Sequence, residues 1–196
     1  MFNSEGPSEE TSAPSPGELR IRAATIGEPQ RIDGAIELRP YDAAWPALYA
    51  GEAARVITTL GDRAIRVEHV GSTSVPGLTA KPIIDMLLVV ADSADEADYV
   101  PPMEEAGYIL RIREPDWFQH RLFKGPEAHI NLHVFSAGCP EIERMLRFRD
   151  HLRSNADDRA LYSRTKHDLA ARQWKYVQEY ADAKTEVVEA IIARAG

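Results

Sequence analysis

An aspartate interrupts the most apolar run of the chain. Ile83–Val90 reads IIDMLLVV. A near-continuous apolar run rich in branched residues is the pattern of a strand covered on both faces. A carboxylate inside such a strand is costly unless it is paired, hydrogen-bonded or bound to a cation. The chain must therefore build a layered fold around this strand and supply a partner for Asp85. Two readings of Asp85 stand at this point. It accepts hydrogen bonds from a neighbouring turn or pairs with Lys81, or it is a metal ligand aimed at a phosphorylated substrate.

The segment before the strand bears on that choice. Gly71-Ser72-Thr73-Ser74 follows the apolar alternation of Ala64–Val70, and twelve residues separate Ser72 from Asp85. A glycine lets the backbone turn tightly and approach a ligand. Hydroxyls and backbone N–H groups at such a turn suit an anion. A plain turn with a helix cap accounts for the same residues. The sequence thus offers Gly71, Ser72, Thr73 and Ser74 as candidate ligand-binding positions. Of the two residues before the turn, only one can face a ligand by alternation. His69 lies nearer the turn and is the expected lining residue, while Glu68 is a candidate second carboxylate.

Around this unit the remaining pattern is regular. Ile36–Arg39 alternates as a strand does, and Ala43–Leu60 has helical apolar spacing that Gly61 stops. Ala94–Ala106 reads as a short helix. Tyr108–Arg113, Phe118–Lys124 and His129–Phe135 read as strands. From Pro140 the pattern is helical, with breaks near Asn155 and Gln173 that give three helices. Strands gathered mid-chain with helices segregated from them predict an α+β fold: a mixed sheet with helices packed on one side and a helical C-terminal part. Residues 1–34 are dominated by Pro, Ser, Glu and Gly and are expected to form a disordered acidic tail, with a short strand at Arg20–Ile26 its one candidate element. Residues 35–196 are expected to be a single domain.

His129, Asn131 and His133 share one face of their strand, and the other face is apolar. A rise of about 3.3 Å per residue separates the two histidines by about 13 Å, so they do not share one ion. Imidazole also suits Mg²⁺ poorly, so His133 is read as a phosphate contact or an acid–base group. Arg121 shares its face with Phe123 and is a candidate inward anion clamp. Lys81 sits at the entrance of the Asp85 strand. Tyr162 and Lys166 are four apart, as are Tyr180 and Lys184, so each pair is placed to meet one ligand.

Three stretches together carry a resemblance: Pro40–Pro46 (PYDAAWP), Glu68–Leu78 (EHVGSTSVPGL) and Lys81–Asp85 (KPIID). The chain resembles the GrpB-like family of the nucleotidyltransferase superfamily over roughly residues 36–194. Asn131-Leu132-His133-Val134 is close to that family's His-Leu-His-Val and departs at Asn131. The resemblance implies a nucleotidyltransferase-like mixed sheet, a nucleoside triphosphate or other phosphorylated ligand, Mg²⁺ as cofactor with Asp85 as ligand, and nucleotidyl transfer as the reaction. It supplies no defined substrate. Superfamily catalysts usually carry a second carboxylate two residues along the motif strand. Leu87 stands there instead, so the alternative is a binding module for a phosphorylated or CoA-like anion.

Charge and cysteine content set the outer limits. The net charge of −8 argues against non-specific nucleic-acid binding. The one cysteine, Cys139, makes no internal disulfide. No apolar run is long enough to span a membrane, and the N-terminus lacks the basic start and apolar core of a signal peptide. A cytoplasmic protein acting on a small anionic ligand is the expectation.

Overall fold

The computed structural model describes residues 13–32, 34–127 and 129–195. Five strands form one mixed sheet: β1 (Arg66–Val70), β2 (Ile84–Val90), β3 (Ile109–Glu114), β4 (His120–Lys124) and β5 (Ile130–Ser136), in the order β1-β2-β5-β4-β3. β2 and β5 run parallel and the other pairings are antiparallel. The α+β fold expected from the sequence is therefore the fold observed.

The helices are α1 (Pro16–Ala24), α2 (Trp45–Leu60), α3 (Glu96–Glu105), α4 (Pro140–Ser154), α5 (Ala156–Ala170), α6 (Val177–Asp182) and α7 (Thr185–Arg194). Met86, Leu88 and Val90 of β2 and Leu132 and Val134 of β5 point to one face. There they join Val56 and Leu60 of α2 and Tyr99 and Met103 of α3 in the main core. The opposite face carries Val70, Leu87, Val89 and Phe135, which Ile142 and Leu146 of α4 cover. The sheet is thus covered on both faces, where one covered face was expected. A third cluster ties Val75 and Leu78, after the glycine turn, to Leu152, Tyr162 and Ile191 of the C-terminal helices. No described helix is long and apolar enough to cross a membrane.

Other expectations need correction. Ile36–Arg39 forms no strand; Arg39 makes only an isolated bridge to Ala80. The C-terminal part has four helices, because Ala183 and Lys184 break the last expected one. Residues 16–24 are a helix and not a strand. Ser15 caps it, accepting from the Glu18 N–H at 3.2 Å, and Pro16 occupies its first turn. The expected disordered tail therefore does not extend through residue 34: residues 13–32 have defined structure, and residues 1–12 lie outside the described part. Glu18 is buried and accepts from Lys175 Nζ at 2.7 Å and the Tyr176 hydroxyl at 2.9 Å. Composition did not reveal these partners because they lie more than 150 residues away along the chain.

Candidate functional site

Register decides which side chains meet. Val70 lies opposite Asp85, Asp85 opposite Asn131, and Asn131 opposite Lys124. Directly opposed residues on paired strands share a face. Asp85, Asn131 and Lys124 therefore line up across three strands on the face that α4 only partly covers. Asn131 Nδ2 donates to Asp85 Oδ1 at 2.8 Å, and Lys124 Nζ donates to Asn131 Oδ1 at 2.6 Å. The side-chain hydrogen bond to Asp85 thus comes from Asn131, where the neighbouring turn or Lys81 was expected.

Above this row lies a cavity of about 750 Å³. Four lysines line it: Lys81, Lys124, Lys166 and Lys184, together with Asp85, Asn131, His133, Gly71 and Ser72. Lys166 Nζ donates to Ser72 Oγ at 3.0 Å and also to the Thr79 carbonyl. It sits 4.8 Å from the Tyr162 ring centre, and Lys184 sits 4.7 Å from that of Tyr180. Tyr162 and Lys166 share α5 as the spacing predicts, whereas Lys184 lies between α6 and α7 and reaches Tyr180 across that break. Burial pulls Lys166 down to about 7, and the neighbouring Lys184 charge adds to the effect. Burial also lowers Lys81, Lys124 and Lys184 from the usual lysine value. Asp85 moves the other way: burial raises it, against the pull of Asn131 and the lysines. Four lysines thus line the cavity with two carboxylates, Asp85 and Glu114, an imbalance that a bound anion would relieve.

A chain of polar groups leads away from Asp85. His133 Nε2 lies 4.0 Å from Asp85 Oδ1, His133 Nδ1 lies 3.0 Å from His120 Nε2, and His120 Nδ1 lies 2.7 Å from Glu114 Oε2. A carboxylate can only accept, so Glu114 assigns the His120 proton to Nδ1. His120 Nε2 then accepts from His133 Nδ1–H, which leaves the His133 Nε2 lone pair facing the cavity. Burial, with His120 and Lys124 nearby, holds His133 down at about 3, so the ring is neutral near pH 7.

Several candidates lie elsewhere. His69 is on the opposite face of β1 from Val70 and hence from Asp85. It stacks on Tyr49 with ring centres 4.7 Å apart, and its Nε2 is 3.1 Å from Thr73 Oγ1. Burial, then the Arg153 and Arg149 charges, lower it to about 4. Thr73 donates on to the Ile83 carbonyl at 3.0 Å, and Ser74 Oγ donates to the Gly71 carbonyl at 2.6 Å. These three groups hold the turn from behind; of the three hydroxyls, Ser72 alone lines the cavity. Arg121, expected as an inward anion clamp, does share a face with Phe123, but that face is turned away from Asp85 and Arg121 does not line the cavity. It is buried and bonds Glu96 Oε1 at 2.5 Å. Glu68 shares the Asp85 face but sits opposite Leu87, held by Arg149 at 2.8 Å and Arg66 at 2.9 Å, and it does not line the cavity. Replacing His69 by Phe keeps the ring stack and removes one hydrogen bond. It should cost about 1 kcal/mol of stability and leave anion affinity unchanged, as urea melts and calorimetric titration can check.

The donor set is not that of a two-metal centre. Mg²⁺ requires oxygen ligands, commonly one or two carboxylates plus substrate phosphates. The cavity presents two carboxylates, Asp85 and the His120-bonded Glu114, among four lysines, and no group of three or more His, Cys, Asp or Glu able to hold a metal occurs among the described residues. The residues present do not supply the second strand carboxylate that superfamily catalysts usually carry.

Lys124, Glu114, Arg111 and the N-terminal segment are among the lining groups to which the sequence assigned no role. Alternation places Lys124 on the face of Leu122, but only the β4–β5 register puts it beside Asn131.

Fold and motif together define an α+β protein built on a five-stranded mixed sheet with a glycine turn set against a strand aspartate. The profile described as GrpB protein matches residues 35–194, and the chain belongs to that family. A UPF0157 protein of Halalkalibacterium halodurans is 59% identical over 175 residues, covering 89% of this chain and 90% of the relative. A UPF0157 protein of Streptomyces coelicolor is 45% identical over 171 residues, covering 87% and 89% respectively. The crystal structure of the conserved protein GrpB from Enterococcus faecalis superposes with a TM-score of 0.72 at 31% identity, covering 81% of this chain and 96% of that one.

Proposed function

We propose that this protein binds a phosphorylated small molecule, a nucleotide or another organic phosphate, with the phosphate among Lys81, Lys124, Lys166 and Lys184. The observation that carries this reading is the excess of cavity lysines over carboxylates. Each buried ammonium is destabilised by its lost hydration and by its neighbours. A phosphate supplies several acceptor oxygens and the missing negative charge. Ser72 adds a hydroxyl, and Asp85 with Asn131 keeps one side of the lysine ring oriented.

The test is ligand-dependent thermal and chemical stability of the full chain with ATP, AMP and inorganic phosphate. Binding should raise the unfolding free energy as RT ln(1 + [L]/Kd), about 2.7 kcal/mol at one hundred times Kd. Lys184→Met should weaken binding at least tenfold while the free protein stays folded. Absence of stabilisation by any organic phosphate up to millimolar concentration would sink the proposal.

Nucleotidyl transfer is the second reading, and the Glu114–His120–His133 chain favours it. A neutral His133 with its Nε2 lone pair toward the cavity can accept a hydrogen bond from an attacking hydroxyl and aim it, the proton passing to solvent. The hydroxyl oxygen would bond the α-phosphorus, the bond to the bridging oxygen would break, and pyrophosphate would leave. Pyrophosphate release from nucleoside triphosphates, assayed with a broad acceptor pool with and without Mg²⁺, decides between transfer and binding alone.

A further inference from the structure

The lysine cluster lines only part of the cavity. A volume of about 750 Å³ suits a drug-sized organic molecule and is far larger than a phosphate ion requires. Its apolar end, which Lys124 borders through its pairing with Ile109, is walled by Ile21 and Ala24 of α1, by Ile109 and Ile112 of β3 and by Leu122 of β4. Ile21 and Leu122 are buried at 6% and 7%, whereas Ile109 remains 58% exposed and is the part of this apolar wall that the fold leaves open. Arg20, Arg111 and Glu114 also line the cavity.

The wall is built, and it is anchored at both ends. Ile26 N–H donates to the Arg111 carbonyl at 2.8 Å, and Arg111 Nη2 donates to the Glu28 carbonyl at 2.8 Å, which fixes the segment to β3. Val177 N–H donates to the Gln30 carbonyl at 3.1 Å and Ile32 N–H to the Lys175 carbonyl at 3.2 Å, which fixes it to the start of α6. Glu18 adds its bonds to Lys175 and Tyr176. Residues 16–32 thus cross from the sheet edge to the C-terminal helices and roof the apolar end. This segment precedes the stretch matched by the family profile.

Resting on the phosphate-binding reading above, we infer that the N-terminal segment is a specificity element, and that it selects an organic phosphate whose body is apolar. The phosphate sits among the lysines and the body lies against Ile21, Ala24, Ile109, Ile112 and Leu122. Polar, bare or strongly hydrated phosphates leave that end of the cavity wet and gain nothing from it.

The probes are inorganic phosphate, AMP and n-decyl phosphate, titrated calorimetrically into the full chain. Decyl phosphate, kept below its micellar concentration, should bind at least tenfold tighter than inorganic phosphate and tighter than AMP. Ala24→Trp fills the apolar end from a half-buried helix position without adding charge. It should remove that advantage and leave inorganic phosphate affinity within twofold. Ile21→Asp tests the same wall by polarity and should act in the same direction. Equal affinity for decyl and inorganic phosphate overturns the inference while leaving phosphate binding at the lysines intact. AMP binding tighter than decyl phosphate and indifferent to Ala24→Trp overturns it too, in favour of a nucleotide held outside the apolar end. If none of the three probes binds, both readings fall.

Discussion

Gly71→Ala should destabilise the protein by about 2–4 kcal/mol, through backbone strain together with a steric clash. Gly71 has φ 68° and ψ −171°, a conformation essentially reserved for glycine. A Cβ there would lie 2.5 Å from Asp85 Oδ2, 2.9 Å from its Cβ and 3.0 Å from its Cγ. The closeness has a structural cause. Val70 pairs with Asp85 at the last position of β1, so the chain leaves the sheet directly over the carboxylate. Gly77→Ala is the control. Its φ is also positive, at 77°, but its nearest neighbour, Arg159 Nε, is 4.0 Å away. It should therefore cost only the backbone term, about 1 kcal/mol. Urea unfolding should show a lower midpoint with an unchanged slope for both variants, more pronounced for Gly71→Ala. Because the clash pushes on Asp85, Gly71→Ala should also disturb the Asn131 bond and weaken anion binding. A Gly71→Ala protein within 0.5 kcal/mol of the parent would mean that the turn does not press on Asp85 as described.

The Gly71–Asp85 contact shows how much of the site was legible in the sequence. A glycine turn, a dozen residues and a carboxylate in an apolar strand were enough to place the two together, because an interior strand leaves its carboxylate few places to be satisfied. Alternation also sorted each strand into faces correctly: Asn131 with His133, Arg121 with Phe123, His69 against Val70. What alternation could not give was the register that joins one strand's face to the next. Val70, not His69, lies opposite Asp85. That one-residue distinction sends His69, with Thr73, to the back of the turn, and the register of β4 sends Arg121 to Glu96 in the same way. Glu68 was on the correct face, yet the pairing sets it opposite Leu87, where Arg149 and Arg66 claim it. The N-terminal wall was hidden for another reason. Its capping residues, Ser15, Pro16 and Glu18, are visible in the sequence, but its stability comes from Lys175 and Tyr176 at the far end of the chain. Local composition carries no trace of such a partner.

Lys166 provides the other large effect, and its sign depends on pH. Its side chain is 2% exposed and its pKa is about 7 in the folded protein, against 10.5 for an unburied lysine. Between pH 7 and 10.5 the unfolded chain binds more protons at this position than the folded one, so this lysine makes stability rise with pH across that window. Below pH 7 the ammonium is charged in both states and its burial penalty is constant. Lys166→Met removes this dependence together with the bonds to Ser72 and the Thr79 carbonyl, each worth about 1 kcal/mol. Relative to the parent, the variant should therefore be at its best below pH 7 and should lose ground by about 2 kcal/mol between pH 7 and pH 9. Urea melts at pH 6, 7, 8 and 9 read this directly, and a difference that does not change with pH would refute the assignment. Ligand binding should show the complementary behaviour. An anion beside Lys166 favours its charged form, so binding above pH 7 should take up protons and weaken as pH rises. Titrations in buffers of different ionisation enthalpy measure that uptake, and Lys166→Met should abolish Lys166's share of it. A folded, stable variant that has lost both anion affinity and proton uptake would show that the burial of Lys166 costs the fold stability and that its charge is kept for the ligand.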